Sequence, residues 1–465
     1  MSRLKRAAKW LYPGLGVKRW LFVAWLGLLL FTLGMVLFVN WRVGSWIDMN
    51  LIGELHLRAG RMALPWLVYV AAMAVGVGLI IYGIRKWFAS IYKVVMPYES
   101  KRLVDRMYER TALAHRFRIV AIGGGTGLSS LLRGLKAHTS NIVAVVTVSD
   151  DGGSSGRLRK DRGLLPPGDI RNCLVALADD DTLLAELLQY RFHEGGDLAG
   201  HSFGNLFLAA LTEIAKGDFD HAIKMSGQIL NIRGKVFPGT LHQTTLCAEY
   251  MDGTMVEGES EIPRHGKPIK RVWLCPDDCE PMDEVLQAIR DADAVILGPG
   301  SLFSSVIPNL LVQGMVDALE RTRGLRIYVC NVMTQPGETD EYKASDHLKA
   351  IYAHTGRKIV DVALVNQEVP RLLLDRYKAE GAFPVLADLD AIERLGVRPV
   401  AANLINETNL VRHDSARLAE VVYDLILEYE ENGRQINDVR GARRGGWLSR
   451  RRARPAEEIT RISSL

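Results

Sequence analysis

The chain has 465 residues, 48% of them hydrophobic and 24% charged, which excludes a mainly disordered polymer and allows one large domain or two to three ordinary ones. Its formal charge of +5 is unevenly distributed: residues 1–19, 85–118 and 433–465 each carry +6, residues 20–84 carry +1, and residues 119–432 carry −14. So acidic a central part does not grip a nucleic-acid backbone by bulk electrostatics, and no nucleic-acid partner is expected.

Trp20 to Val39 is an uncharged run of 20 residues, and Met62 to Ile84 is a second, of 23. At about 1.5 Å per residue each is long enough to cross a hydrocarbon core of about 30 Å, so two transmembrane helices are predicted. The first run is too long for a signal-peptide core and lacks a small-residue cleavage site, so it is read as retained. Basic residues flank the outer ends of both spans while the 40–61 loop is nearly neutral. The positive-inside rule then places both termini and the large domain in the cytoplasm of a cell (inner) membrane. Neither span carries an ionisable group, so the hairpin reads as an anchor rather than a transport path. Residues 85–116 read as a juxtamembrane linker or helix. Cysteines 173, 247, 275, 279 and 330 are odd in number and scattered, which suits a reducing compartment, and Cys275 and Cys279 form a lone pair without the partners of a zinc site.

From Phe117 onward, short β-branched runs end in glycine-rich or polar turns, each followed by a helical segment. Arg118–Ile122, Asn141–Val148, Ala292–Leu297, Leu325–Cys330 and Ile359–Val365 are the predicted strands. This alternation predicts an α/β, Rossmann-like, doubly wound and mostly parallel sheet over 117–432, with ligands beyond the carboxyl ends of its strands. The first turn, Gly123, Gly124, Gly125, Thr126 and Gly127, precedes a helix start and reads as a phosphate cradle. Leu128 stands where a dinucleotide fingerprint has its third glycine, which disfavours a nicotinamide dinucleotide.

After the second strand, Asp150 and Asp151 could hold ribose hydroxyls or a divalent cation such as Mg²⁺. Ser154, Ser155, Arg157 and Arg159 add donors and positive charge for an anion. Asp169 follows Pro167 and Gly168 and reads as a helix cap, with Arg171 and Asn172 in the same first turn. His201, Ser202 and Asn205 head an apolar helix, where His201 fits a structural role and a ligand contact equally well. Gly300 and Ser301 lie in a second strand-to-helix glycine turn with Ser304 and Ser305 as further donors, and Asn331, Thr334, Gln335 and Glu338 follow the fourth strand. No serine, cysteine or zinc hydrolase pattern is present, and no catalytic residue is assigned.

Taken together, GGGTGLSSLLRGL, TVSDDGGSSGRLR, PPGDIRN, GHSFGNLFLAAL, GESEIP, GPGSLFSSVIPNLL, NVMTQPGETDEYKASDH and VRHDSARLA closely resemble the YvcK-type gluconeogenesis factor family. This family lies in the CofD-like superfamily beside the 2-phospho-L-lactate transferases, and the resemblance runs from about Phe117 to Glu430. It implies a UDP-sugar ligand, notably UDP-N-acetylglucosamine, and a regulatory role linking carbon flux to cell-wall supply and cell shape. It also implies ligand contacts at Tyr377 and Arg412, and a homo-oligomer. The alternative it leaves open is a metal-dependent phospho-transferase with Mg²⁺ on Asp150 and Asp151. Family members are commonly soluble, so the hairpin over 20–84 is a departure. The Arg-rich segment 433–465, with Arg443, Arg444 and Arg450–Arg454, reads as a disordered tail, either solvated or held to anionic lipid.

Overall fold

The structure, a computed structural model, describes residues 17–39, 64–95, 113, 116–179, 182–193, 196–407 and 410–442. The expectations for the basic N-terminus before residue 17, the 40–61 loop, most of the juxtamembrane segment and the tail from 443 fall outside the described residues. The chain divides into two compact units, Met1–Arg106 and Met107–Leu465.

In the first unit, α1 spans Val17–Val39 and α2 spans Leu64–Val95. The stretches Arg19–Phe38 and Leu67–Ser90 are each long and apolar enough to cross a membrane. The helices pack closely where glycines face each other: a Cβ built on Gly27 would lie 2.7 Å from the Gly76 carbonyl oxygen, and one on Gly76 2.8 Å from that of Gly27. Small residues at such crossings let backbones approach, which is how apolar helices gain dispersion contact where no hydrophobic force drives them together. At one end of the pair, Trp20 meets Tyr82 edge-on at 5.7 Å and Lys86 sits 5.8 Å over the Trp20 ring.

The second unit is built on a seven-stranded sheet. Its strands are β1 (Ile119–Gly123), β2 (Ile142–Val146), β3 (Lys235–Pro238), β7 (Ala294–Leu297), β8 (Leu325–Val329), β9 (Val362–Asn366) and β10 (Arg398–Ala402), in the order β10-β9-β8-β7-β1-β2-β3. All six pairings are parallel. Between β3 and β7 the chain forms a separate antiparallel sheet from β4 (Thr245–Tyr250), β5 (Met255–Glu257) and β6 (Ile269–Cys275). Near the end it forms a hairpin of β11 (Ile405–Glu407) and β12 (Val411–His413).

Side chains alternate across a strand, so a parallel sheet buried on both faces needs apolar residues at every position. β1 reads IVAIG and is buried throughout. Ile119 and Ala121 join one core, with Ala294, Ile296 and the helices α3 (Gly125–Leu135) and α4 (Gly168–Leu177). Val120 and Ile122 join the other, with Val295, Leu297, Phe303 and Leu348. The doubly wound sheet expected from the sequence is therefore the fold observed. The last helix, Ser415–Ala442, runs ten residues into the segment read as a disordered tail.

Candidate functional site

The chain winds outward from β1 through β2 to β3, then returns to the other side of β1 and winds outward again from β7 to β10. The strand order reverses between β1 and β7, and loops leaving the carboxyl ends of those strands part there to leave a crevice. Two glycine turns flank it, Gly124–Gly127 after β1 and Gly298–Ser301 after β7. A pocket of about 560 Å³ opens between them, which lies in the size range of a small-molecule site.

Twelve of the residues singled out in the sequence line this pocket: Gly124, Gly125, Thr126, Gly127, Gly300, Ser301, Ser305, Asn331, Thr334, Gln335, Tyr377 and Arg412. The two turns nearly touch, since a Cβ on Gly127 would fall 2.6 Å from the Pro299 carbonyl oxygen. Only glycine lets α3 begin so close to the opposite turn. The first N–H groups of α3 have no intrahelical acceptor, and its positive dipole end faces the pocket, the usual setting for a phosphate. The Gly125 N–H is already engaged, donating to Asp169 Oδ2 at 2.6 Å. Thus Asp169 reaches across to the cradle and does not cap its own helix, whose cap residue Pro167 has no side-chain hydrogen bond.

The other walls come from farther along the chain. Asn331 Oδ1 accepts from Gly300 N–H at 3.3 Å, so the loop after β8 braces the second glycine turn. Ser301 donates to buried Glu338, and Thr334 Oγ1 accepts from Phe383 N–H at 2.9 Å, so both hydroxyls hold the walls together. The Tyr377 hydroxyl accepts from Val411 N–H at 3.1 Å, pinning β12 against the short helix Leu374–Ala379 and leaving the ring as a pocket wall. Arg412 is exposed on β12, and its guanidinium has no partner among the described residues.

The remaining residues singled out from the sequence form a separate group next to the cradle. Gly123 is internal to β1, and its carbonyl accepts from Asn309 Nδ2 at 3.0 Å. Ser154 Oγ lies 3.0 Å from His201 Nδ1 and accepts from Asn205 Nδ2 at 3.1 Å, while Ser155 is 3.5 Å from the same amide. Arg171 donates to Asn172, Asn205 and Ser202. Arg157 and Arg159 donate to the Ala199 and Thr244 carbonyls at 2.9 and 2.6 Å. Asp150 and Asp151 diverge: Asp150 Oδ1 accepts from Gly152 N–H, and Asp151 Oδ1 from Ser260 N–H, both at 2.9 Å.

Asp150, Asp169 and Glu259 are mutually repelling carboxyls. Burial pushes Asp150 up, raises Asp169 to about 6, and drives Glu259 well above the ordinary carboxylate range. Glu259 Oε2 is buried without a hydrogen-bond partner. Among the described residues no three His, Cys, Asp or Glu side chains are arranged to hold a metal ion. The sequence reading missed the pocket residues Ser130, Glu380 and His413, and the placement of Glu259. A polar residue one helical turn beyond the glycine loop was the available signal for Ser130, whereas nothing local marked Glu380.

The pattern of the family described as 2-phospho-L-lactate transferase CofD matches residues 119–405. The gluconeogenesis factor of Bacillus subtilis is 47% identical over 313 residues, which is 67% of this chain and 98% of that protein. This chain belongs to the gluconeogenesis factor family. A crystal structure described as a protein member of the upf0052 family from Bacillus halodurans is 50% identical with a TM-score of 0.64, covering 66% of this chain and 98% of that one. A further relative, from Nostoc sp., is 45% identical over 427 residues, 90% of this chain and 92% of its own length. A match that long does not fit within residues 117–465, so it takes in part of the N-terminal segment. The family therefore includes relatives with and without sequence matching that segment.

Proposed function

We propose that this gluconeogenesis factor family member is a membrane-tethered protein that binds a UDP-sugar, notably UDP-N-acetylglucosamine, and regulates cell-wall supply and cell shape in response to carbon flux. The observation that carries the reading is the crevice at the strand-order reversal, where two glycine turns face each other and Tyr377 and Arg412 close the far wall. The diphosphate lies against the helix start at Gly125–Gly127. The Tyr377 ring offers a flat face for a base or sugar, and Arg412 a fork for a phosphate. The two apolar helices form the anchor, and the basic flanks place the binding body on the cytoplasmic side of the inner membrane. Basic residues beyond the body supply an electrostatic hold on anionic lipid.

Isothermal titration of the detergent-solubilised chain with UDP-N-acetylglucosamine tests the reading. Saturable heat is expected, weakened at least tenfold in Tyr377→Ala and in Arg412→Ala. No saturable heat, or binding indifferent to both substitutions, would sink it.

A second reading, transfer of a phosphorus-containing group, is favoured by the three repelling carboxyls beside the cradle. The residues do not fit a divalent ion held between Asp150 and Asp151, whose carboxylates serve different backbone N–H groups. Product from a nucleotide-activated phosphoester would support transfer, and none across a panel of acceptors would count against it.

A further inference from the structure

A second cleft of about 250 Å³ adjoins the main pocket and shares Ser130, Leu410, Arg412 and His413 with it. Its remaining walls are Arg133, Asn406 and Ser415. Three residues of α3, at i, i+4 and i+7, form one stripe: Thr126 lines the main pocket, Ser130 both cavities, and Arg133 the side cleft. The opposite face of α3 is buried through Leu128, Leu131, Leu132 and Leu135. The stripe therefore leads from the glycine cradle into the cleft.

The second wall is brought in by a close approach of backbones. A Cβ on Gly134 would lie 1.9 Å from the Ser415 carbonyl oxygen, so the start of the last helix rests on α3 there. That contact holds β12 and Ser415 beside Arg133. The Arg133 and Arg412 side chains have no hydrogen bond or ion pair among the described residues, and none of the lining residues is a carboxylate. The neighbouring Asp414 is engaged, accepting from the Ala416 and Arg417 N–H groups at 3.0 Å each. His413 is buried with Nε2 3.2 Å from the Cys330 carbonyl, and burial pushes it down to about 4, so it adds no charge at neutral pH.

We propose that this side cleft is a second anion site, distinct from the glycine cradle, in which Arg133 and Arg412 take a phosphate group. Arg133 stands six residues beyond Gly127, about 9 Å along the helix axis, so a diphosphate resting on the cradle does not fill the cleft. Two unpaired guanidiniums suit the several acceptor oxygens of a phosphate, with Ser415 beside them, while the Ser130 hydroxyl donates to the Thr126 carbonyl at 2.9 Å. The group arrives as a separate phosphate, because a UDP-sugar carries only the two phosphates that the cradle would take, so the proposal does not rest on the nucleotide-sugar reading above.

The test uses the full chain in detergent at low salt with inorganic phosphate as the probe. Phosphate should raise the melting temperature saturably, beyond chloride at matched ionic strength. Arg133→Met should weaken that effect at least tenfold, and Arg133→Lys should retain part of it. A shift absent from the wild type or unchanged in Arg133→Met would overturn the proposal. Titrating UDP-N-acetylglucosamine with and without saturating phosphate checks that the two sites are distinct: simultaneous binding is expected, and competition that disappears in Arg133→Met would overturn the separate site. A chain that takes phosphate but no UDP-sugar sustains the cleft and overturns the nucleotide-sugar reading instead.

Discussion

Asp169 places a carboxylate where the cradle would receive a phosphate, bound to Gly125 N–H at 2.6 Å and raised by burial to about 6. A folded-state pKa above the unfolded value means that the native protein binds the extra proton. For this group stability is greatest below about pH 4 and falls as pH rises through about 6. The shift corresponds to roughly 3 kcal/mol. Asp169→Asn, which keeps an acceptor for Gly125, should raise the melting temperature at pH 7.5 and flatten this part of the stability profile; equal melting temperatures at pH 7.5 would refute the assignment. Nucleotide-sugar affinity in the wild type should rise as pH falls from 7.5 to 5.5, because the protonated carboxyl no longer repels the diphosphate, and titration calorimetry at the two pH values checks this. Gly127 gives a sharper outcome. Gly127→Ala pushes a methyl into the Pro299 carbonyl, and calorimetry should show UDP-N-acetylglucosamine binding reduced at least tenfold, with a stability cost of about 1–3 kcal/mol.

Among the elements, the β11–β12 hairpin decides the shape of the far wall. It is short, and it is held to the body by a small cluster of Val332, Met333, Ile405 and Val411, with Leu373 and Tyr377 packed against it. Tyr377→Phe removes the bond to Val411 N–H but keeps the ring, and should cost about 1 kcal/mol of local stability with affinity changed only a few-fold. Tyr377→Ala removes both, and amide exchange at residues 405–407 and 411–413 should quicken well beyond that in Tyr377→Phe. Equal exchange in the two variants would show that the ring does not support the hairpin. The glycine turns were legible in the sequence because each follows a continuous apolar strand and needs no distant partner. The hairpin was not, because three-residue strands carry too short a pattern to reveal a period. Tyr377 and Arg412 came only from the family resemblance. Asp169 looked like a helix cap because a Pro-Gly-Asp start satisfies that local rule, and its actual acceptor role depends on Gly125, 44 residues earlier.

At the scale of the whole molecule, the chain joins an apolar helix pair to an α/β body. The Bacillus subtilis protein matches 67% of this chain along 98% of its own length, so nearly all of that relative is accounted for by about two thirds of this chain. Residues 107–465 expressed alone should therefore be recovered without detergent and bind UDP-N-acetylglucosamine within about threefold of the full chain. The full chain should stay with the membrane fraction after a high-pH wash. Recovery of the full chain in the soluble fraction after such a wash would overturn the anchor.

The mild charge of +5 resolves into basic flanks and an acidic body, a property of the sequence alone, and the two long apolar helices and the doubly wound sheet were legible there too. These are properties of composition and periodicity, and continuous apolar runs have few ways to be buried. Which polar residues meet was decided by tertiary structure. The reversal of strand order beside β1 brings turns nearly 175 residues apart within contact of each other, and places Tyr377 and Arg412 opposite them. It also leaves Asp150 and Asp151 on diverging partners despite their adjacency in the chain. Contacts of that range follow from how the sheet winds, and no local pattern of residues encodes them.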